Sequence, residues 1–173
     1  MSMLTKAATP THTTVGSPLG ELTIVATAGV LVGVYFPHHW HMPDRSAFGL
    51  RSDAGFEDAR RQLGQYFAGD RHVFDVPLAM NGDGRQQNVW NLIRHVPYGQ
   101  TSTYGQLARD LGDGTTAQAV GAAVGRNPLS ILIPCHRIVG SNGRLTGYAG
   151  GLRRKQQLLD LERSTAERPS RLF

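Results

Sequence analysis

The chain has 173 residues, 40% hydrophobic and 18% charged, which fits one domain or two small lobes on a shared core and excludes a disordered chain. No stretch approaches the roughly 20 apolar residues of a membrane span. A single cysteine, Cys135, excludes both an intramolecular disulfide and a zinc site built on several thiolates. The net charge of +5 is uneven: residues 1–84 carry six Lys+Arg against eight Asp+Glu, and residues 85–173 carry twelve against five. The basic half is either a solvated Arg-rich surface or the face that meets an anionic partner, nucleic acid first among them.

Residues 1–12 read as a flexible leader without the apolar core of a secretory signal. TTVGS, ELTIVATA and VLVGVYF follow, separated by the turn signals SPLG and AGV, a pattern that predicts an antiparallel three-stranded meander. Residues 37–54 have no period and read as loop; their His38, His39 and His41 are expected to be exposed rather than metal ligands. FEDARRQLGQYFAG (56–69) aligns Phe56, Ala59, Leu63, Tyr66 and Phe67 on one face of a helix stopped by Gly69. HVFDVPLAM predicts one more short strand.

The second half is helical in style. RQQNVWNLIRHV (85–96) stripes Val89, Leu92, Ile93 and Val96 and ends before Pro97. STYGQLARDL predicts a short helix capped by Ser102 or Thr103, LGDG a tight turn, and TTAQAVGAAVGRN (115–127) a helix of small residues. A helix-turn-helix and an ordinary αα-hairpin share this signature. ILIPCHRIVG (131–140) is apolar and broken by Pro134, a Gly-rich loop follows, and GLRRKQQLLDLE (151–162) closes the chain as a helix with Leu152, Leu158, Leu159 and Leu161 turned inward. The tail, 163–173, reads as flexible. The resulting organisation is an N-terminal α/β lobe over 1–84 and a C-terminal domain over 85–173.

The lone thiol suits a reducing, cytoplasmic setting, as inert apolar filler or as a reactive group. A free cysteine is only a few per cent thiolate at pH 7, so reactivity needs a base or positive field nearby. His136, Arg137 and a helix N-terminus after Pro134 are the candidates to supply it.

NPLSILIPCHRIVGSNGRLTGYAGGLRRKQQLLDLE resembles the active-site segment of the O6-alkylguanine-DNA alkyltransferases, or methylated-DNA–protein-cysteine methyltransferases. The Asn-Pro, PCHR, GYAGG and LLDLE motifs occur in the family's order and spacing, and VWNLIRHVPYGQTSTYGQLA is similar to its upstream helices. The resemblance implies an α+β fold with a small RNase H-like antiparallel sheet lobe and a mainly helical lobe carrying a helix-turn-helix. It implies repair of double-stranded DNA by irreversible, single-turnover transfer of an alkyl group from O6 of guanine, or O4 of thymine, after base flipping through the minor groove. No cofactor, metal or membrane is implied, and a monomer is expected. Cys135 would be the acceptor and His136 its base through a water. Glu162 would orient His136 and favour its cation, unless it is only an exposed helix-end carboxylate. Asn127 would tie the turn and Tyr104 would donate to the guanine. Tyr148 would wall the pocket, and the backbones of Ile138 and Ala149 would read the base edge. Lys155 would support the loop, with a solvated helix lysine as the alternative. Arg137, Ala117 and Ala119 would meet DNA, though the small residues equally suit close helix packing.

Three positions depart from the family pattern. Gln118 stands where the family has an Arg that fills the space of the flipped base, which predicts weaker duplex binding or slower flipping. Arg85 replaces a frequent aromatic, and Ala149 lacks a hydroxyl that some members have. Ser130 stands where some members have a pocket-bordering Pro, which suggests tolerance of larger adducts. A lesion-binding protein without transfer activity, a cysteine hydrolase and a regulator with an inert thiol are the competing classes. The presence of Cys135 opposes the first, while Gln118 leaves a lesion-recognition protein with weak or altered transfer as the alternative.

Overall fold

The computed structural model describes residues 7–169. Strands β1 (Pro10–Val15), β2 (Leu22–Thr27) and β3 (Val30–Tyr35) form the expected antiparallel meander. The expected leader is corrected, since residues 10–12 already pair in β1; residues 1–6 lie outside the described residues. The expected loop at 37–54 is also only partly a loop. It contains a 3-10 turn, Arg45–Phe48, and β4 (Leu50–Arg51), which pairs parallel with β1 to give a sheet ordered β3-β2-β1-β4. The reason is the second face of the sheet. Val25 and Tyr35 point away from the main core, and the returning loop covers them with Phe48, stacked on Tyr35 at 5.4 Å. No period marks such a segment, because it contributes one anchor rather than a stripe.

Helix α1 (Glu57–Phe67) buries Ala59, Leu63 and Tyr66 against the sheet. Gly69 ends its last turn at φ 78°, where an added Cβ would lie 2.6 Å from Thr165. HVFDVPLAM is not a regular strand. It makes a single bridge, with Leu31 N–H bonded to Pro77 O and Ala79 N–H to Leu31 O.

Helix α2 (Gly84–Arg94) starts at a reciprocal capping box between Asp83 and Gln86. A short strand β5 (Ser102–Thr103) leads into α3 (Tyr104–Leu111), capped by Thr103, and α4 (Ala117–Gly125) is capped by Thr116. Trp90 of α2 donates Nε1–H to Ala123 O at 2.9 Å and so ties α2 to α4. Residues 131–140 are not an extended strand. Cys135–Arg137 form a 3-10 turn, and only β6 (Ile138–Val139) pairs, with β5. Helix α5 (Leu152–Thr165) runs beyond the expected end at Glu162. Thr165 is buried and bonded to the Tyr98 hydroxyl at 2.6 Å, so the tail's first residues are packed; residues 170–173 lie outside the described residues. Leu152 is 45% exposed rather than inward, whereas Leu158 and Leu159 are buried.

One apolar core joins the two lobes. It runs from Leu22, Ile24 and Val34 in the sheet to Ile93, Leu107, Val120 and Leu158 in the helices. At the seam, β3 offers its free edge to the segment before the cysteine: Val34 N–H bonds Pro128 O at 2.8 Å and Ser130 N–H bonds Val34 O at 3.3 Å. The sheet edge therefore positions the thiol-bearing segment. Ile131 in that segment is buried at φ 72°, an unfavourable backbone for a β-branched residue that only a rigid surround maintains.

Candidate active site

Cys135 lies on the floor of a cavity of about 490 Å³. One wall is α4, through Ala117, Gln118, Gly121 and Ala122, and another is the Gly-rich loop, through Thr146, Tyr148 and Ala149. Tyr104 completes it from the start of α3, while Trp40 and His41 reach it from the loop after β3. Of the expected residues, Cys135, Tyr104, Gln118, Tyr148, Ala149 and Ala117 share this cavity, and Ala119 does not line it.

The thiol is buried, and burial pushes its pKa above the ordinary value. Asn127 opposes that shift by donating Nδ2–H to Sγ at 3.1 Å. The same side chain donates to Ile133 O and accepts from Leu129 N–H, so one buried amide holds both the turn and the sulfur. Lys155 is fully buried, not a solvated helix lysine. Its Nζ donates to Ile138 O and Gly147 O, and burial lowers its pKa to about 8. Its charge also favours the thiolate.

Behind the cysteine lies a buried polar cluster. Glu162 is fully buried, not a helix-end surface carboxylate. Its Oε1 accepts from His136 Nε2 at 2.6 Å, Tyr66 Oη at 2.8 Å and an Arg137 nitrogen at 2.9 Å. Its Oε2 accepts from Arg137 Nε at 2.9 Å and Gly99 N–H at 3.4 Å. Burial alone would raise the carboxyl pKa, but His136 and Arg137 outweigh it and hold Glu162 ionised. Glu162 pushes the His136 pKa up, through its charge and its hydrogen bond. Arg137 already neutralises the carboxylate, and burial lowers the His136 pKa more than Glu162 raises it, with Arg137 and Lys155 adding to the fall. The His136 Nε2–H points at Glu162, and the buried Nδ1 has no hydrogen-bond partner among the described residues.

Two expected base-binding residues lie elsewhere. Arg137 is buried on Glu162 and also donates to Val96 O, because a charge so enclosed needs its whole fork satisfied. The backbone of Ile138 is engaged as well: its N–H bonds Cys135 O and its carbonyl takes Lys155. Ser130 is buried beneath the loop facing Tyr148, outside the cavity lining. The Tyr148 hydroxyl is buried, and its pKa is raised by burial first and by Cys135 second. His39 is buried rather than exposed, its pKa pushed down to about 4 by burial and then by His41 and Arg154. Among the described residues, no three His, Cys, Asp or Glu side chains are grouped to hold a metal, and no helix is long and apolar enough to cross a membrane.

Sequence reasoning missed Tyr66, Gly99, Trp40, His41 and Thr146. For Tyr66 a signal existed: a phenol on the buried stripe of α1 requires a partner.

The family model described as "6-O-methylguanine DNA methyltransferase, DNA binding domain" matches residues 84–164, and its "ribonuclease-like domain" matches residues 11–80. A Mycobacterium bovis methylated-DNA–protein-cysteine methyltransferase is 42% identical over 162 residues, covering 94% of this chain and 98% of that protein. One from Methanosarcina acetivorans is 51% identical over 115 residues, covering 66% and 74%. The crystal structure of Mycobacterium tuberculosis OGT in complex with DNA superposes with a TM-score of 0.83 at 41% identity, covering 90% of this chain and 94% of that one.

Proposed function

Because this chain belongs to the methylated-DNA–protein-cysteine methyltransferase family, we propose that it repairs double-stranded DNA by transferring the alkyl group of O6-alkylguanine irreversibly to Cys135. The observation that carries the reading is the position of Cys135. It is the only cysteine, it lines the cavity, its sulfur accepts from Asn127 Nδ2–H, and the next residue in the chain, His136, is bonded to the Glu162 that also holds Arg137.

His136 Nδ1 takes the thiol proton through an intervening water. The imidazolium that forms lies against ionised Glu162, which gains a charge–charge contact at the moment the proton moves. Asn127 Nδ2–H and the Lys155 ammonium stabilise the thiolate. Sulfur attacks the alkyl carbon, the carbon–O6 bond breaks, and its electron pair stays on the guanine. Tyr104, whose pKa burial raises, remains protonated and donates to the leaving base. The product is a thioether with no basic route back, so each molecule acts once.

A target carbon inside a duplex requires base extrusion. α3 and α4, joined through the turn over residues 112–116, serve as the helix-turn-helix that enters the minor groove, with Ala117 and Gln118 at the cavity rim. Minor-groove contact reads sequence poorly, which suits a repair protein. Gln118 is exposed there without the charge of the family Arg, which favours slower flipping without loss of the chemistry.

Intact and peptide mass spectrometry after mixing with a duplex carrying one O6-methylguanine tests the reading. The Cys135 peptide should gain one methyl group, and Cys135→Ser should gain none. No gain on duplex, single-stranded oligonucleotide or free modified base would overturn it.

A further inference from the structure

Trp40 is a large apolar side chain left 73% exposed at the rim of the cavity. Its placement is not that of a loose loop. His38 and His41, on either side, both adopt left-handed backbone, at φ 57° and 62°, a cost that a free loop would relax away. The Trp40 N–H bonds Ala149 O at 2.8 Å and pins this loop to the Gly-rich loop. His39 is buried edge-on against Tyr35, which fixes the loop from below. Arg154 fastens the same junction. It donates to Leu19 O, Pro37 O and Gly150 O while its guanidinium lies over the Phe36 ring. The indole is then stacked on His41 at 5.2 Å and 15° between ring planes, so the cavity has a braced flat aromatic pair at its mouth. A volume of about 490 Å³ is also in the range of sites for drug-sized ligands and exceeds the need of a purine bearing one methyl group.

We propose that Trp40, contributed by the N-terminal lobe, is the specificity-determining wall of the alkyl subsite. It stacks on the part of an adduct that extends beyond the reacting carbon, and so favours flat aromatic adducts over branched aliphatic ones of similar size. The proposal rests on the transfer reaction described above and deepens it. Offset stacking on a flat group uses the ring face, which a branched aliphatic group cannot match. The preorganised backbone means that no ordering of the loop is needed on binding.

The test is single-turnover alkylation of the 173-residue chain and of its Trp40→Ala and Trp40→Phe variants, with duplexes carrying O6-methylguanine, O6-benzylguanine or O6-isobutylguanine. In Trp40→Ala the benzyl-to-isobutyl and benzyl-to-methyl rate ratios should each fall by about tenfold, the size of one aromatic stack. Trp40→Phe should restore most of both ratios. Unchanged ratios in Trp40→Ala would overturn the proposal, as would an equal fall for all three adducts, which would assign Trp40 to DNA binding. Failure of the wild-type protein to transfer any adduct would instead refute the underlying reaction. Because Trp40 is exposed, its removal leaves the core intact.

Discussion

Replacing Glu162 by Gln should cost a large share of the protein's stability as well as its reactivity. The carboxylate accepts five hydrogen bonds, two of them from the buried Arg137 guanidinium. An amide of the same shape removes the charge and turns an NH2 group toward donors, leaving Arg137 buried and uncompensated. Breaking a buried pair from one side costs about 3–5 kcal/mol, against a total stability of about 5–15 kcal/mol for a typical protein. For a chain of this length that corresponds to a fall in Tm of roughly 6–20 °C. Urea unfolding at neutral pH measures it directly. The pH dependence adds a second signature. The folded-state carboxyl pKa lies well below its unfolded value, so the stabilisation is fully present above the unfolded pKa of about 4.3 and is lost as pH falls toward the folded value. The gap between wild type and Glu162→Gln should therefore be widest near neutrality and narrow below about pH 4.3. Adding Arg137→Met should recover part of the loss, since a paired charge replaced by apolar bulk is often neutral or better. A loss under about 1 kcal/mol for Glu162→Gln, or a gap that does not narrow in acid, would refute the view that this carboxylate compensates Arg137.

Asn127→Ala should slow transfer at pH 7 and shift the rate–pH profile upward, because the thiolate loses its amide donor while burial still raises the thiol pKa; stopped-flow transfer rates across pH 6–10, at about one-unit steps, would show this. An unchanged profile would mean that Asn127 only holds the turn. Gln118→Arg should accelerate transfer from duplex DNA severalfold and leave the rate on the free modified base unchanged, as expected of an exposed residue that acts on flipping and not on the chemistry; equal effects on both substrates would contradict that role. Gly150→Ala should destabilise the protein by about 1–3 kcal/mol in thermal unfolding, because a Cβ there meets Phe36 at 2.6 Å and Tyr148 at 2.9 Å.

The local elements with strong periods or caps were legible before any folding. The meander, the stripe of α1, the run from Val89 to Ile93 and the caps at Thr103 and Thr116 follow from side-chain spacing and from hydrogen bonds within a few residues. The ordered motifs around Cys135 likewise carried the family resemblance, because those residues are close in the chain. What pairs across the chain was not legible. Tyr66 and Glu162 are 96 residues apart, and Arg154 reaches Leu19 over 135. Arg137 reads as a surface or DNA-facing cation beside a histidine until packing buries it on Glu162. The downward pull on the His136 pKa was not legible for the same reason: burial and the Arg137 and Lys155 cations that oppose Glu162 come only with the fold. Trp40 shows the limit most clearly. No period marks it, and its place at the cavity rim is decided by two left-handed histidines and a hydrogen bond to Ala149, more than a hundred residues away. Local chemistry is written in neighbouring residues; burial, charge compensation and the walls of a cavity are properties of segments that meet only when the chain has folded.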